Sequence, residues 1–233
     1  MKPATFVTNK HLLPMYTDQG AIPMVFYPIN TLVGSGIKDI LIISSREHSG
    51  PIIQNLGDGF SFGADFTYKV QDTKRVEMGI ASALKLARDF TRDEPFAVIL
   101  GDNFFEDHFL SEFSQFAETS TPAKIFVKKV LDPHRFGVYH EGSIEEKPSS
   151  PKSDMAVVGL YLYRPDVYEV ADSLIPSCRG ELEVTDINQH YCSSGLMSVI
   201  EIGGFWSDMG TPSSISRTQD FLNQSGYLIS RRD

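Results

Sequence analysis

The sequence has 233 residues, of which 41% are hydrophobic and 22% are charged, and its formal net charge is −9. This composition is ordinary for a globular protein and excludes a largely disordered chain. The acidic balance argues against a nucleic-acid groove and an anionic membrane surface as partners, although a few local cations suffice to bind one phosphate group.

Cysteine usage and the apolar runs limit the cellular setting. The two cysteines, Cys178 and Cys192, have no metal-binding spacing and form no disulfide framework. The N-terminal residues lack the apolar core of a signal peptide, and runs such as AVVGLYLY are too short to cross a membrane. We therefore expect a cytoplasmic protein.

Hydrophobic patterning predicts helices and strands in alternation. A helix is expected over residues 23–36, because the segment begins after a proline and ends on a glycine. Four short runs are typical of strands buried on both faces: DILIISS, FAVILGD, KIFVKKV and DMAVVGLYLY. Further helices are expected in VEMGIASALKLARDF, FLSEFSQFAET, PDVYEVADSL, ELEVTDINQHYCSSG and TPSSISRTQDFLNQ, with a hairpin in GVYHEGSIEEKP.

This order predicts an α/β fold: a Rossmann-like, three-layer arrangement around a mixed, mostly parallel sheet. No internal repeat or flexible linker marks a boundary, so residues 1–233 are expected to form one domain. Residues 1–105 would be its nucleotide-binding half, 106–223 its sugar-binding half and 224–233 a tail. The first clear strand begins near residue 39, whereas such folds usually begin with a central strand.

Two aspartates follow predicted strands. Asp102 comes directly after the run FAVIL, where ligands of open α/β sheets bind, and a carboxylate there suits Mg²⁺. GDN is alternatively a simple turn, because all three residues favour turns. Asp208, in FWSDMGT, lies between a strand and a helix. Either Asp208 shares a cation with Asp102, or Asp208 or Thr211 merely caps the next helix.

Two charged segments, SIEEKP and RGELEVTD, are further candidates for the site. In SIEEKP, Lys147 follows a strand and is well placed for a sugar phosphate, with Glu146 placed for sugar hydroxyls. In RGELEVTD, Glu181 belongs to an acidic first turn of a helix, which the helix dipole favours. Solvated surface charge explains either segment equally well.

The order of these motifs resembles that of the sugar-1-phosphate nucleotidylyltransferases over essentially the whole chain. The motifs are NKHLLPMY, PMVFYPINTL, GIKDILIIS, LGDN, FGV, EEKP, GLYLY, RGELEVTDIN and FWSDMGT. The resemblance extends to the short glucose-1-phosphate thymidylyltransferases of that family. It implies transfer of a nucleotidyl group from dTTP or UTP to glucose 1-phosphate, with Mg²⁺ as cofactor and pyrophosphate as second product.

The resemblance also implies roles for particular residues. Asp102 and Asp208 match the metal-binding aspartates, and Lys10 matches a lysine that approaches the triphosphate. Gln71 and Gly79 match nucleotide-binding positions. The sugar-phosphate pocket is matched at these positions: Gly137, Glu146, Lys147, Val158 and Glu181.

The chain departs from the family pattern in three places. The family's first strand and its glycine-rich GGxGTR loop, which cradles phosphate and carries an arginine, are missing from the sequence. The stretch DTKRVEM between Gln71 and Gly79 is longer than in the family, and so is TDQGAIPM. The fold is therefore expected to lack its first strand, and its activity to be impaired.

Two functional hypotheses stay open. The first is a nucleotidylyltransferase whose missing loop is a start-site or N-terminal truncation artefact. The second is a non-catalytic homologue that binds sugar phosphate or nucleotide. A missing central strand would also expose two strand edges, so self-association into a homo-oligomer is expected.

Overall fold

The computed structural model describes residues 9–72, 74 and 77–232, and among them strands and helices alternate. The strands are β1 Pro14–Thr17, β2 Gly20–Pro23, β3 Asp39–Ser45, β4 Asp65–Gln71, β5 Phe96–Ile99, β6 Phe104–Phe105, β7 Ala123–Lys129, β8 Gly137–His140, β9 Ser143–Glu146, β10 Met155–Tyr163, β11 Met197–Glu201 and β12 Trp206–Ser207. The helices are α1 Phe26–Gly34, α2 Ser49–Leu56, α3 Ile80–Lys85, α4 Arg88–Thr91, α5 Leu110–Glu118, α6 Val167–Ser173, α7 Val184–Ser193 and α8 Pro212–Ser225.

The largest sheet is built around β10, which is antiparallel to β5, β7 and β8. Strand β11 is parallel to β7, and β9 completes a hairpin with β8. Strands β5, β7 and β11 therefore run in one direction, with β10 against them. This arrangement is the mixed α/β architecture that the sequence predicts.

Strands β3 and β5 differ from the prediction of full burial. Most side chains of both strands are only half-buried, whereas β7 and β10 are almost wholly buried. Among the described residues, β3 pairs only with its parallel neighbour β4, and β5 only with β10. Both strands line one large cavity, whose walls here also include α1 and α3. We call this part of the cavity, between β3 and β5, the strand slot.

Two further local differences have simple causes. The helix predicted over 76–90 is two short helices, α3 and α4; Val76 itself lies outside the described residues. The segment before α1, which includes the longer stretch TDQGAIPM, forms the hairpin β1–β2. Gly20, with φ of 101°, allows the tight turn between these strands.

The C-terminal segment packs against the first half of the chain. Ile229 is 3% exposed, and the Gln19 side chain both donates to its carbonyl and accepts from its N–H. The Arg231 guanidinium lies over the rings of Phe26 and Phe62. The tail is thus anchored near β2, α1 and the turn that precedes β4.

The core holds an aromatic cluster centred on Phe104, which is fully buried. Its ring lies 5.0–5.8 Å from four other rings: Tyr27, Phe205, Phe221 and Tyr227. The cluster joins α1, β6, the approach to β12, and α8. It therefore fixes the short ribbon β6–β12. Among the described residues, no helix is long and apolar enough to cross a bilayer.

Candidate active site

The antiparallel ribbon β6–β12 brings the two predicted aspartates to one place. Phe104 pairs with Ser207 in this ribbon, so Asp102 and Asp208 each lie just beyond the same end of it. Both residues line the same cavity. Asp208 does not cap the next helix. Thr211 is the N-cap of α8, and its hydroxyl accepts a hydrogen bond from the Ser214 N–H at 3.1 Å.

Asn103 connects this end of the ribbon to the large sheet. Its side chain is 2% exposed; Oδ1 accepts from the Trp206 indole at 2.8 Å and from the Gly159 N–H at 3.1 Å. Its Nδ2 donates to Asp102 Oδ1 at 2.9 Å. A Cβ at position 159 would lie 2.7 Å from the Asn103 amide, so only glycine fits here. The pairing of β10 with β7 is irregular at this point.

Each aspartate also holds a cationic side chain. Lys10 Nζ donates to Asp102 Oδ2, and Arg135 Nη2 donates to Asp208 Oδ2. Arg135 also reaches Asp132 at 2.9 Å. Burial works to lower the pKa of Arg135, but its hydrogen bonds and charge pairing with the two aspartates raise it overall.

His11 is the neighbour of this cluster whose pKa is most clearly shifted. Its Nδ1 lies 2.7 Å from Asn9 Oδ1, and its ring packs on Gly101. Burial lowers the pKa of His11 to about 4, against an opposing effect of the Asp102 charge. His11 is therefore neutral at physiological pH.

The His11 shift predicts how stability depends on pH in metal-free buffer. The unfolded chain binds a proton at this histidine near pH 6.5, whereas the folded chain does not until about pH 4. The stabilisation is therefore complete above pH 6.5 and is lost as the pH falls towards 4, by about 1–3 kcal/mol. Urea unfolding between pH 7.5 and 4.5 measures it. The His11→Gln variant should have a flatter profile; an equally steep one would contradict this assignment.

The remaining predicted site residues, apart from Val158, line the same cavity of about 1720 Å³. This volume exceeds that of an ordinary ligand cleft because the cavity includes the strand slot. Val158 is fully buried in the core, and its neighbours Val157 and Gly159 line the cavity instead.

Charged residues of the 106–223 segment form the wall around Glu146. The Glu146 carboxylate accepts from Thr185 Oγ1 at 2.5 Å and lies 3.1 Å from Lys147 Nζ. Lys147 has a φ of 45°, a left-handed conformation that is costly for a residue other than glycine and common at binding sites. Gly137 lies against Thr185 and Glu146, because a Cβ at this glycine would lie 3.3 Å from Thr185 Oγ1.

Arg179 completes this wall. Its guanidinium makes two hydrogen bonds of 2.8 Å to the carboxylate of Glu183, and it lies within 4 Å of Glu146 and Glu181. The hydrogen bonds to Glu183 raise the pKa of Arg179. Arg179 lines the cavity and is held by several acidic partners. It is therefore a fixed cation in this wall, beside the more exposed Lys147.

Gln71 and Gly79 lie together in the cavity, beside the segment that holds Glu181 and Leu182. Gln71 Nε2 donates to the Gly79 carbonyl at 3.2 Å. Gly79 has a φ of 109°, and a Cβ there would lie 2.3 Å from the Leu182 carbonyl oxygen. The close approach of the Leu182 backbone is therefore already a structural reason for glycine at this position.

Replacing Gly79 by alanine should be clearly destabilising. The change adds backbone strain of about 1–3 kcal/mol and forces the Leu182 backbone to move. A urea midpoint measures the loss. Gly142→Ala is the matched control, since Gly142 also has a positive φ but no atom within 4 Å of the added Cβ. Equal losses in the two variants would mean that the contact with Leu182 contributes nothing.

The aspartate pair suits a magnesium ion that is shared with a substrate. Among the described residues, no three acidic, histidine or cysteine side chains converge as a complete metal site. Asp208 Oδ1 is buried and has no hydrogen-bond partner in the described part of the chain. Mg²⁺ typically takes one or two carboxylates and completes its shell with water and phosphate oxygens. The donors present fit that pattern.

Sequence reasoning did not single out several residues of this cluster. Asn103, Arg135 and Thr185 act through hydrogen bonds to predicted site residues. The bonds of Arg135 and Thr185 join distant segments, and the Asn103 amide is oriented by the distant Trp206. Asn103 is the last residue of the recognised motif LGDN, and Arg135 directly precedes the recognised motif FGV. That proximity was the only available signal.

Comparisons with known proteins identify the family of the chain. The family model described as nucleotidyl transferase matches residues 1–225. A glucose-1-phosphate thymidylyltransferase of Neisseria meningitidis serogroup A is 39% identical over 229 residues, covering 94% of this chain and 77% of that protein. One of Mycobacterium tuberculosis is 36% identical over 228 residues, with the same coverage.

Solved structures show the same fold. A protein of Bacillus anthracis in complex with sucrose, assigned as a glucose-1-phosphate thymidylyltransferase, is 42% identical with a TM-score of 0.87, covering 96% of this chain and 90% of that one. A UDP-glucose pyrophosphorylase with UDP-glucose is 21% identical with a TM-score of 0.77, covering 95% and 92%. The chain therefore belongs to the nucleotidyl transferase family, as an enzyme of the glucose-1-phosphate thymidylyltransferase type.

Proposed function

We propose that the protein transfers a thymidylyl group from dTTP to glucose 1-phosphate and releases pyrophosphate. The observation that carries the proposal is that Asp102 and Asp208 lie at one end of the ribbon β6–β12, in a cavity that is also lined by Glu146, Lys147 and Arg179. A carboxylate pair for a cation thus shares one cavity with a group of cations and carboxylates suited to a sugar phosphate.

The two halves of the chain are proposed to divide the substrates. Residues 1–105 supply Lys10, Gln71, Gly79 and Asp102 for the nucleotide, and residues 106–223 supply the sugar-phosphate side. Glu146 is suited to sugar hydroxyls, because its carboxylate is oriented by Thr185. Lys147 and Arg179 are the cations for the phosphate. Gly137 and the backbone around Val158 would lie against the sugar, and Glu181 at the rim.

The chemistry requires little more than positioning and charge. A phosphate oxygen of glucose 1-phosphate attacks the α-phosphorus of the triphosphate, and the bond to the β-phosphate oxygen breaks in line with it. Magnesium, held by Asp102 and Asp208, would neutralise charge on the triphosphate oxygens. Lys10, beside Asp102, is placed to donate to the phosphates, and Lys147 to orient the nucleophile.

The choice of dTTP over UTP is supported by the names of the curated relatives. The test is incubation with Mg²⁺, glucose 1-phosphate and equimolar dTTP and UTP, with both sugar nucleotides quantified by mass spectrometry. Predominant dTDP-glucose supports the proposal. Predominant UDP-glucose overturns the nucleotide assignment, and binding of both substrates without any product favours a non-catalytic binding protein.

The 233-residue chain by itself is expected to turn over slowly. Its sequence contains no glycine-rich phosphate loop, and removal of even one preorganised donor typically costs about 10²–10³ in rate. Near-family rates of pyrophosphate release would contradict this expectation.

Self-association is proposed from the strand slot. The edges of β3 and β5 that face it have no strand partner among the described residues, and such edges favour pairing with another chain. Sedimentation at increasing concentration should detect oligomers. A monomer that persists at high concentration and unfolds sharply at high temperature would exclude this.

A further inference from the structure

We propose that Arg135 is a positioning residue, which holds Asp208 so that one of its carboxylate oxygens is kept free for the cation. The inference rests on the proposed function, because it concerns the same cation site. Nothing in the sequence motifs assigned a role to this arginine, which stands two residues before Gly137.

The guanidinium of Arg135 is fixed from three sides. Nη1 donates to Asp132 Oδ2 at 2.9 Å, Nη2 donates to Asp208 Oδ2, and the plane lies over the Phe136 ring at 4.8 Å. The side chain is 23% exposed. A planar guanidinium that is held by several contacts loses little conformational entropy when it binds a carboxylate. A lysine ammonium on its flexible side chain loses more.

The Asp208 carboxylate has a single orientation in this arrangement. Arg135 occupies Oδ2, while Oδ1 is buried without a partner among the described residues. A Cβ at Gly210 would lie 2.7 Å from Oδ2, so the absence of a side chain there makes room for the carboxylate. Oδ1 is thus the oxygen left available to a cation.

Asp102 is held in a comparable way. Asn103 Nδ2 donates to its Oδ1 at 2.9 Å, and among the described residues Lys10 is the side chain that donates to its Oδ2. Each aspartate therefore has one oxygen engaged by a well-anchored donor. Lys10 is anchored differently: its side chain is 36% exposed, and its one salt bridge in the described part of the chain is to Asp102.

The net charge of the cluster determines whether Arg135 positions Asp208 for the cation or competes with the cation for Asp208. A free guanidinium on Asp208 would repel a divalent ion, and its removal would then tighten binding. Asp132 offsets the charge of Arg135, so the three groups together keep a net charge of −1 for the cation. Hydrogen-bond partners of metal ligands typically contribute 10–100-fold to metal affinity.

The experiment measures Mn²⁺ affinity by electron paramagnetic resonance of the free ion, with Mn²⁺ alone and with dTTP. Arg135→Met should weaken Mn²⁺ binding by about 10–100-fold, and Arg135→Lys should restore only part of it. Arg217→Met, which removes an exposed arginine on α8, is the charge-matched control and should have no effect.

A second readout is the fluorescence of Trp206, the only tryptophan in the chain. Its indole donates to Asn103, which holds Asp102. Its ring lies 5.3 Å from that of Phe136, over which the Arg135 guanidinium lies. Trp206 is therefore close to the supporting residues of both aspartates. Its response to Mg²⁺ should shift to higher concentration in Arg135→Met by the same factor. Urea midpoints of the variants identify any loss of fold.

The outcomes separate this inference from the proposed function. Unchanged or tighter Mn²⁺ binding in Arg135→Met overturns the positioning role, and so does full restoration by Arg135→Lys, which would mean that charge alone matters. If Asp208→Asn abolishes Mn²⁺ binding while Arg135→Met does not, only the positioning role fails. If Asp208→Asn leaves Mn²⁺ binding unchanged, the cation site and this inference fail together.

Discussion

The Asp102→Asn variant should bind Mn²⁺ in the presence of dTTP more than about 10²-fold more weakly than the unmodified chain. The substitution keeps the shape and the hydrogen bond from Asn103, but it removes the charge that a hard cation requires. The loss should exceed the 10–100-fold that is typical of residues behind the metal ligands. Titration of free Mn²⁺ measures it without relying on turnover.

Asp220→Asn is the matched control for this prediction. Asp220 is exposed on α8 and does not line the cavity, so the same loss of charge there should leave Mn²⁺ affinity unchanged. Equal affinities for the Asp102→Asn variant and the unmodified chain would remove the cation site from the proposed function.

The Phe104→Ala variant should lose about 3–5 kcal/mol of unfolding free energy. Its ring is fully buried and lies within 6 Å of four other aromatic rings, so truncation leaves a large cavity in rigid surroundings. Because Phe104 also pairs with Ser207, the ribbon that holds the aspartates should loosen. Urea unfolding and Mn²⁺ affinity measure the two effects.

Two variants make the result for Phe104 interpretable. Phe104→Leu keeps part of the volume and should cost less, so it stays measurable if the alanine variant does not fold. Phe60→Ala removes a ring that is 64% exposed and should change stability by no more than about 0.5 kcal/mol. Similar losses at positions 60 and 104 would mean that the aromatic cluster does not organise the core.

The fold class followed from the sequence because long apolar runs and helical periodicity are local signals. The strands around DILIISS, FAVIL and AVVGLYLY lie where the runs predicted them. Their exposure did not follow, since the burial of β3 and β5 depends on what lies between them. The break between α3 and α4 was equally hidden, because Leu86 and Ala87 fit a continuous helical pattern.

The candidate site could be predicted in its acidic and basic residues but not in its supporting contacts. Asp102 and Asp208 were recognisable from their positions after strands, and both line the cavity. The bond from Arg135 to Asp208 joins residues 73 positions apart, and Asn103, which holds Asp102, is itself oriented by Trp206, 103 positions away. Such contacts depend on how distant segments pack, including the register of β6 against β12, which short apolar dipeptides do not encode.

We expect the strand slot to reverse the usual distribution of amide protection inside an α/β sheet. Backbone amides in central strands are normally the last to exchange with solvent deuterium, because neighbours on both sides hold them. Here the N–H groups of β3 and β5 that face the slot have no strand partner within the described residues, while β10 has neighbours on both sides. Deuterium uptake should therefore begin in the middle of the molecule, with these two strands labelled well before β7 and β10.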